Sequence, residues 1–276
     1  MKPSLWRCPI CHAALQLQER SFTCSNHHRF DQAKEGYVNL LRVNRKHSAD
    51  PGDNKAMLES RRHFLQQGFY APLAQALGDA IRQHFSEDTA NLTLLDAGCG
   101  EGYYLSQLAV QLGGGAYWGT DISRAAMRLA SKAYPNMQFA VASSFELPLA
   151  DEAVDAVVRV FAPASAAEIT RVLKTGGVYL WAYPGELHLF ELRQRIYDEP
   201  KPHTVETLPP LVGMTEGAPL RVQYRITLPD AESIAALLAM TPYYWSASAD
   251  KQAQCQTLQT LDLTVDFVIS QWQKSA

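Results

Sequence analysis

Three cysteines and a histidine near the start of the chain stand at metal-ligand spacing: Cys8, Cys11, Cys24 and His28, in the pattern C-x2-C-x12-C-x3-H. Two cysteines two residues apart fit a tight knuckle that aims both sulfurs at one point. A second Cys/His pair completes a tetrahedron of the kind zinc takes. His27 competes locally for the fourth position, and a cluster of ordinary core thiols is the alternative reading. A second set, Asp96-Ala97-Gly98-Cys99-Gly100-Glu101-Gly102, lies directly after a short apolar run and opens a helical pattern. Glycines there let the backbone bend sharply and approach a ligand where no Cβ would fit.

Nicotinamide sites use a similar turn. Here, however, Asp96 and Glu101 put carboxylates where a pyrophosphate would be repelled. A cationic ligand suits them better, and S-adenosylmethionine carries both a sulfonium and an ammonium. Asp121, in Gly119-Thr120-Asp121-Ile122-Ser123, ends the next strand-like run and can accept both hydroxyls of an adenosine ribose. Ser143, in Val141-Ala142-Ser143-Ser144 with Leu147-Pro148 following, sits where an adenine would lie. Singly, each acid reads as a helix cap or a solvated strand end. Cys99, with no paired base nearby in sequence, reads as a buried filler rather than a nucleophile.

The elements that position these groups follow from periodicity. Ala14–Gln18 and Ser21–Thr23 are strand-like, while Met57–Leu65 and Pro72–Phe85 have helical spacing and are separated by Gly68. Alternation of strand and helix begins at Leu92–Asp96. It continues through a helix at Glu101–Leu112, a strand at Ala116–Thr120, a helix at Ser123–Ala133 and strands at Met137–Ala142 and Ala153–Phe161. A helix at Ala166–Leu173, a strand at Gly177–Tyr183, a helix at Leu187–Tyr197, a strand at Leu220–Leu228, a helix at Ala231–Met240 and a final strand at Leu261–Gln271 complete the pattern. This rhythm predicts a parallel α/β sheet with helices on both faces.

The chain has 276 residues, 47% of them hydrophobic, enough for one large domain and a small appendage. No apolar run approaches membrane-spanning length and the start lacks a secretory signal, which points to the cytoplasm, where thiols stay reduced. Net charge is −3, but residues 1–62 carry 11 Lys/Arg against 6 Asp/Glu, an excess of +5 that leaves −8 on the remainder. A basic arm on an acidic body suits a polyanion, and ordinary surface variation is the alternative. Arg42, Arg45, Lys46, Arg61 and Arg62 are the phosphate-contact candidates, with Asp50-Pro51-Gly52-Asp53 marking a turn among them.

Over nearly its whole length the sequence resembles the bacterial 23S ribosomal RNA guanine-N1 methyltransferases of the RlmA type. The likeness rests on Cys8-Pro9-Ile10-Cys11, Cys24 with His28 and Phe30-Asp31, the tract Ala33-Lys34-Glu35-Gly36-Tyr37-Val38-Asn39-Leu40-Leu41, Asp50-Pro51-Gly52-Asp53, Asp96 through Tyr104, Val141-Ala142-Ser143-Ser144 and Met240-Thr241-Pro242. Thr175 replaces the usual proline before the paired glycines, and Ala164 stands where relatives can have a cysteine. The resemblance implies a class I (Rossmann-like) S-adenosylmethionine-dependent methyltransferase sheet with a small N-terminal zinc-binding domain. It also implies a homodimer, a 23S rRNA hairpin as partner, and no membrane association. It carries zinc onto Cys8, Cys11, Cys24 and His28, preferring His28 to His27, and cofactor contacts onto Tyr70, Gly100, Glu101 and His188. Residues 1–34 are then the zinc-binding RNA-recognition module, 35–85 a linker with helices serving the RNA and cofactor sites, and 86–276 the methyltransferase domain. Tyr103, Tyr104 and Phe161 are candidates for stacking on the base, or for plain packing. A small-molecule methyltransferase and a non-enzymatic RNA-binding factor are the rival functions. The Lys34–Leu41 tract argues against the first and the intact Asp96 loop against the second.

Overall fold

A computed structural model describes residues 4–42, 55–204, 210–241, 243 and 247–275. Arg45, Lys46 and the Asp50-Pro51-Gly52-Asp53 turn lie outside these, as does Pro242. Three short strands, β1 (Gln16–Gln18), β2 (Ser21–Thr23) and β3 (Arg29–Asp31), form a small antiparallel sheet in the order β1-β2-β3. The rest builds one nine-stranded sheet. Its strands are β4 (Val38–Asn39), β5 (Thr93–Ala97), β6 (Ala116–Asp121), β7 (Gln138–Val141), β8 (Val154–Val160), β9 (Leu173–Pro184), β10 (Met214–Glu216), β11 (Leu220–Leu228) and β12 (Leu261–Lys274).

The order is β10-β12-β9-β8-β5-β6-β7-β4, with β11 pairing β12 beside β10. Strands β4 to β9 run parallel, and β12 lies antiparallel between β9 and β10/β11. The helices are α1 (Lys55–Gln66), α2 (Ala71–His84), α3 (Tyr103–Leu112), α4 (Arg124–Ala133), α5 (Ala166–Val172), α6 (Phe190–Ile196), α7 (Ala231–Met240) and α8 (Ala249–Gln256).

Strand alternation separates two cores. Along β8, Ala156, Val158 and Val160 enter the core that also holds Leu73 and Leu77 of α2 and Leu105 and Leu108 of α3. Val157 faces the other way, into a core shared by Ile169 and Val172 of α5 and by Trp6, Leu15 and Phe22 of the N-terminal module. The period of two puts one apolar set on each side of the sheet, so both faces must be covered. The N-terminal module covers part of the α5 face.

Several boundaries shift for local reasons. Helix α3 starts at Tyr103, not Glu101, because Gly102 at its N-cap has φ +87°. Helix α6 starts at Phe190, not Leu187, because Leu189 has φ +54°. Strand β9 begins at Leu173 and runs through Gly176-Gly177, where a close approach of Asp155 O to Gly177 leaves no room for a Cβ. The tract expected to link module and body adds β4 to the sheet edge. Val38 and Asn39 register with Ala140 and Val141, and the Leu40 amide donates to Val141 O at 2.9 Å.

Candidate cofactor site and metal centre

The metal-type residues come together. His12, with φ +60°, turns the first knuckle so that its amide donates to Cys8 O, and the His27 amide donates to Cys24 O in the second. Cys8 Sγ and Cys24 Sγ each lie 3.5 Å from His28 Nδ1, and Cys11 Sγ lies 3.6 Å from Cys24 Sγ. All four ligand atoms fall within 4.8 Å of one another. A zinc tetrahedron with bonds of about 2.0–2.3 Å has edges of roughly 3.3–3.8 Å, which the three separations of 3.5–3.6 Å match. The Ala13 amide holds the Cys11 thiol down at about 6, towards the thiolate a metal needs, while burial pushes the Cys8 thiol up.

The loop after β5 is held by the next strand. The amides of Gly98 and Cys99 donate to Thr120 O at 2.8 and 3.0 Å, and the Gly100 amide donates to Asp121 Oδ2 at 3.0 Å. The other oxygen of Asp121 accepts the Ser123 amide at 2.8 Å, so this carboxylate braces both the loop and the start of α4. Gly98 (φ +90°) sits so close to Ala162 that a Cβ there would collide.

Asp96 is 1% exposed and neither of its carboxylate oxygens has a hydrogen-bond partner among the described residues. Burial first, then Asp121 and Glu101, raises it to about 8. Burial also raises Glu101, against the pull of Arg61 and Arg62. Three crowded carboxylates, one of them buried without a donor, suit a cationic ligand. The donor set therefore fits the sulfonium and ammonium of S-adenosylmethionine.

Tyr70, at the N-cap of α2, and His188, after β9, meet at 3.4 Å between hydroxyl and Nε2. The Asp266 amide donates to His188 Nδ1 at 3.4 Å, which leaves Nε2 as the protonated nitrogen facing Tyr70. Burial, reinforced by His203, lowers His188 to about 3, so the ring is neutral at physiological pH. Tyr104 links the two groups: its buried hydroxyl has no partner, and both Tyr70 and Glu101 act on it electrostatically.

Ser143 adjoins the loop through the Ala142 amide, which donates to Asp121 O at 2.9 Å. Its hydroxyl, however, accepts the Phe145 amide. Ser143 also lines a cleft of about 330 Å³ between module and body, together with Arg7, Leu40, Arg42, Leu147 and Asp151. Among the candidate cations, Arg42 pairs with Glu146 at 3.2 Å. Arg61 is beside Gly100, with Nη1 3.9 Å from where a Cβ would be, so its charge serves the loop region. Of the aromatic candidates, Tyr103 and Tyr104 are buried, while Phe161 is 44% exposed. Cys99 is buried, and a Cβ on Gly119 would meet its sulfur at 2.8 Å, consistent with a filler.

Sequence reasoning missed Asp266. It is fully buried, receives both Arg221 Nε and Nη2 at 2.9 Å, accepts the Leu187 amide, and so sets the turn that presents His188. An acid in the middle of the apolar run of β12 was the available signal.

A family model described as RlmA, N-terminal, matches residues 6–49, and one described as methyltransferase domain matches residues 94–177. The Streptomyces fradiae 23S rRNA (guanine(748)-N(1))-methyltransferase is 34% identical over 254 residues, covering 90% of this chain and 88% of that one. A Bacillus subtilis (strain 168) protein named as a candidate 23S rRNA (guanine-N(1)-)-methyltransferase, YxjB, is 34% identical over 278 residues, covering 96% of each chain.

Proposed function

The chain belongs to the family of 23S rRNA (guanine-N1)-methyltransferases, and on that footing we propose that it methylates N1 of a guanine in a hairpin of 23S ribosomal RNA, with S-adenosylmethionine as donor. The observation that carries this reading is the buried, partnerless carboxylate of Asp96 beneath a glycine loop that Asp121 braces. S-adenosylmethionine, when bound, supplies an electrophilic methyl on sulfur.

The protein's own contribution is placement. Gly98, Gly100 and Gly102 clear the backbone for close approach, and Asp96 and Glu101 balance positive charge. Asp121 offers its carboxylate beside the loop, and the Tyr70–His188 pair closes the opposite side. Ser143 completes the adenine end. Transfer to N1 is an in-line displacement in which the methyl–sulfur bond breaks, the methyl–nitrogen bond forms and the N1 proton leaves to solvent; it needs no protein nucleophile, so holding the reactants in contact and in line is the main catalytic term. Guanine N1 is occupied in a duplex, so the target is an unpaired or extruded base.

Zinc on Cys8, Cys11, Cys24 and His28 is structural here, because four protein ligands leave no open position. Residues 1–34 act as the RNA-recognition module, 35–85 supply the edge strand and the two helices that bring Tyr70 and Arg61 to the cofactor, and 86–276 form the transferase body. A cytoplasmic homodimer completes the reading. Ribosomal RNA as substrate supports that compartment, and no helix among the described residues is long and apolar enough to cross a membrane.

Reverse transcription of 23S rRNA from cells with and without the gene tests the function. N1-methylguanine blocks base pairing, so a stop that vanishes with the gene is expected. An unchanged stop pattern, with methyl transfer to small acceptors instead, rejects it.

A further inference from the structure

Arg193 is a buried cation that neither the cofactor site nor the metal centre uses. It projects from α6 at 9% exposure, and its Nε and Nη1 have no hydrogen-bond partner among the described residues. A guanidinium is never neutral in a protein, so burying it without an acceptor is costly. Two acids on or beside this part of the fold are engaged elsewhere. Asp266 takes both bonds from Arg221, and Glu191 accepts the amide and hydroxyl of Thr264.

What Arg193 does touch is aromatic. Its guanidinium lies over Tyr243, 5.8 Å from the ring centroid. The Tyr243 oxygen is 2.5 Å from His203 Nε2, and the His203 ring is 6.3 Å from that of His188. His188 in turn is 6.2 Å from Phe161, the exposed aromatic at the end of β8. A run of rings therefore leads from the carboxyl edge of the sheet, past the His188 that meets Tyr70, to a cation with two buried nitrogens that lack an acceptor among the described residues.

We propose that Arg193 recognises the acceptor guanine, donating to its O6 and N7 while the flanking rings stack on the extruded base. The inference deepens the guanine-N1 methyltransferase reading and rests on it. Arginine pairs bidentately with O6 and N7 of guanine. Gripping that edge leaves N1, on the Watson–Crick edge, open to the methyl donor. Adenine presents an amino donor in place of O6 and would set donor against donor, so the same contact excludes it. Aromatic stacking on an unpaired base supplies the complementary hold.

The test uses two transcripts of the 23S rRNA hairpin region with matched melting profiles, one made with GTP and one with 7-deaza-GTP, which lacks the N7 acceptor. The wild-type protein should methylate the deaza transcript with kcat/KM about tenfold lower. Arg193→Met should lose about tenfold to a hundredfold on the ordinary transcript and show no further loss on the deaza one. Arg193→Lys, which keeps the charge without the fork, should also fall. Cofactor affinity of both variants should match the wild type, and Arg193→Met should melt no lower than the wild type.

Equal wild-type rates on the two transcripts overturn the proposal, as does an Arg193→Met protein that remains sensitive to the deaza substitution. That second outcome assigns Arg193 to a phosphate or to packing. If Arg193→Met does not fold, the wild-type comparison decides alone. A wild-type protein that binds the cofactor yet methylates neither transcript sinks the guanine-N1 reading itself, and the Arg193 assignment with it.

Discussion

Trp6 and Trp118 meet edge to face, their ring centroids 4.7 Å apart and their planes at 77°. Trp6 belongs to the N-terminal module and Trp118 to β6, so one buried pair fastens the metal centre to the strand that ends in Asp121. The Trp6 backbone also bridges to Leu149, and the Arg7 amide donates to Pro148 O at 2.8 Å. Trp6→Ala should cost about 3–5 kcal/mol, and chelation of zinc should release the same contact by unfolding its source. In either case the body should still bind S-adenosylmethionine while rRNA methylation collapses. Calorimetric cofactor binding, metal content and limited proteolysis of the first 34 residues check this. Loss of cofactor binding in parallel would contradict it.

Asp96 makes a pH prediction. Its carboxyl is raised from 3.8 to about 8 in the folded protein, chiefly by burial. Folding therefore takes up a proton between those limits. The stabilisation from this group is complete below about pH 4 and is lost as pH rises towards 8. A cationic ligand favours the ionised form, so binding S-adenosylmethionine at pH 7 should release up to about one proton. Binding enthalpies in Tris and phosphate should then differ by the buffer ionisation heat, and Asp96→Asn should remove that difference and lessen the fall of stability between about pH 4 and 8. Buffer-independent enthalpies would refute the assignment.

Gly98→Ala tests the loop geometry. With φ +90° and Ala162 directly in the path of a Cβ, the substitution must distort the loop at a cost of about 1–3 kcal/mol. Cofactor affinity should fall well beyond the stability loss. Gly113→Ala, at the far end of α3, where φ is also positive (+78°) but nothing lies within 4 Å, should cost only the backbone strain and leave the cofactor affinity untouched. Titration calorimetry on the two variants separates them.

Arg171 ties the α5 face together. It donates to Leu147 O, Leu149 O, Asp151 and both oxygens of Glu168, and Asp151 also receives Arg7 from the module at 2.7 Å. The Arg171 bond holds Asp151 below the usual range. For Glu168, burial pushes upward but the guanidinium outweighs it, and the net shift is downward. Both acids therefore contribute stability present above their unfolded values, lost as pH falls through the folded ones. Arg171→Met should cost about 2 kcal/mol at pH 7, the Asp151 pair being exposed and screened and the Glu168 pair less so, and the deficit should shrink below about pH 4. Denaturant unfolding at pH 7 and pH 3.5 measures it.

Much of the site was readable because its signals are local. The Cys8/Cys11 knuckle, the glycines at 98, 100 and 102, and the acid at 121 carry their meaning within a few residues, and the strand–helix rhythm follows from periodicities of 2 and 3.6. Strands β3, β4 and β10 escaped notice because two or three residues are too few to establish a period. The starts of α3 and α6 slipped because left-handed Gly102 and Leu189 carry no periodic signal.

By itself, then, the sequence determined which groups could bind a metal and a cationic nucleoside, since both depend on residue type and short spacing. Only the tertiary structure decided that Arg61 serves the Gly100 loop, that Trp6 docks on Trp118, that Tyr70 pairs with His188, and that Arg193 is buried with two nitrogens lacking an acceptor among the described residues. Each of those depends on how distant segments cross the sheet, and on desolvation, which is a property of everything packed around a group rather than of its neighbours in the chain.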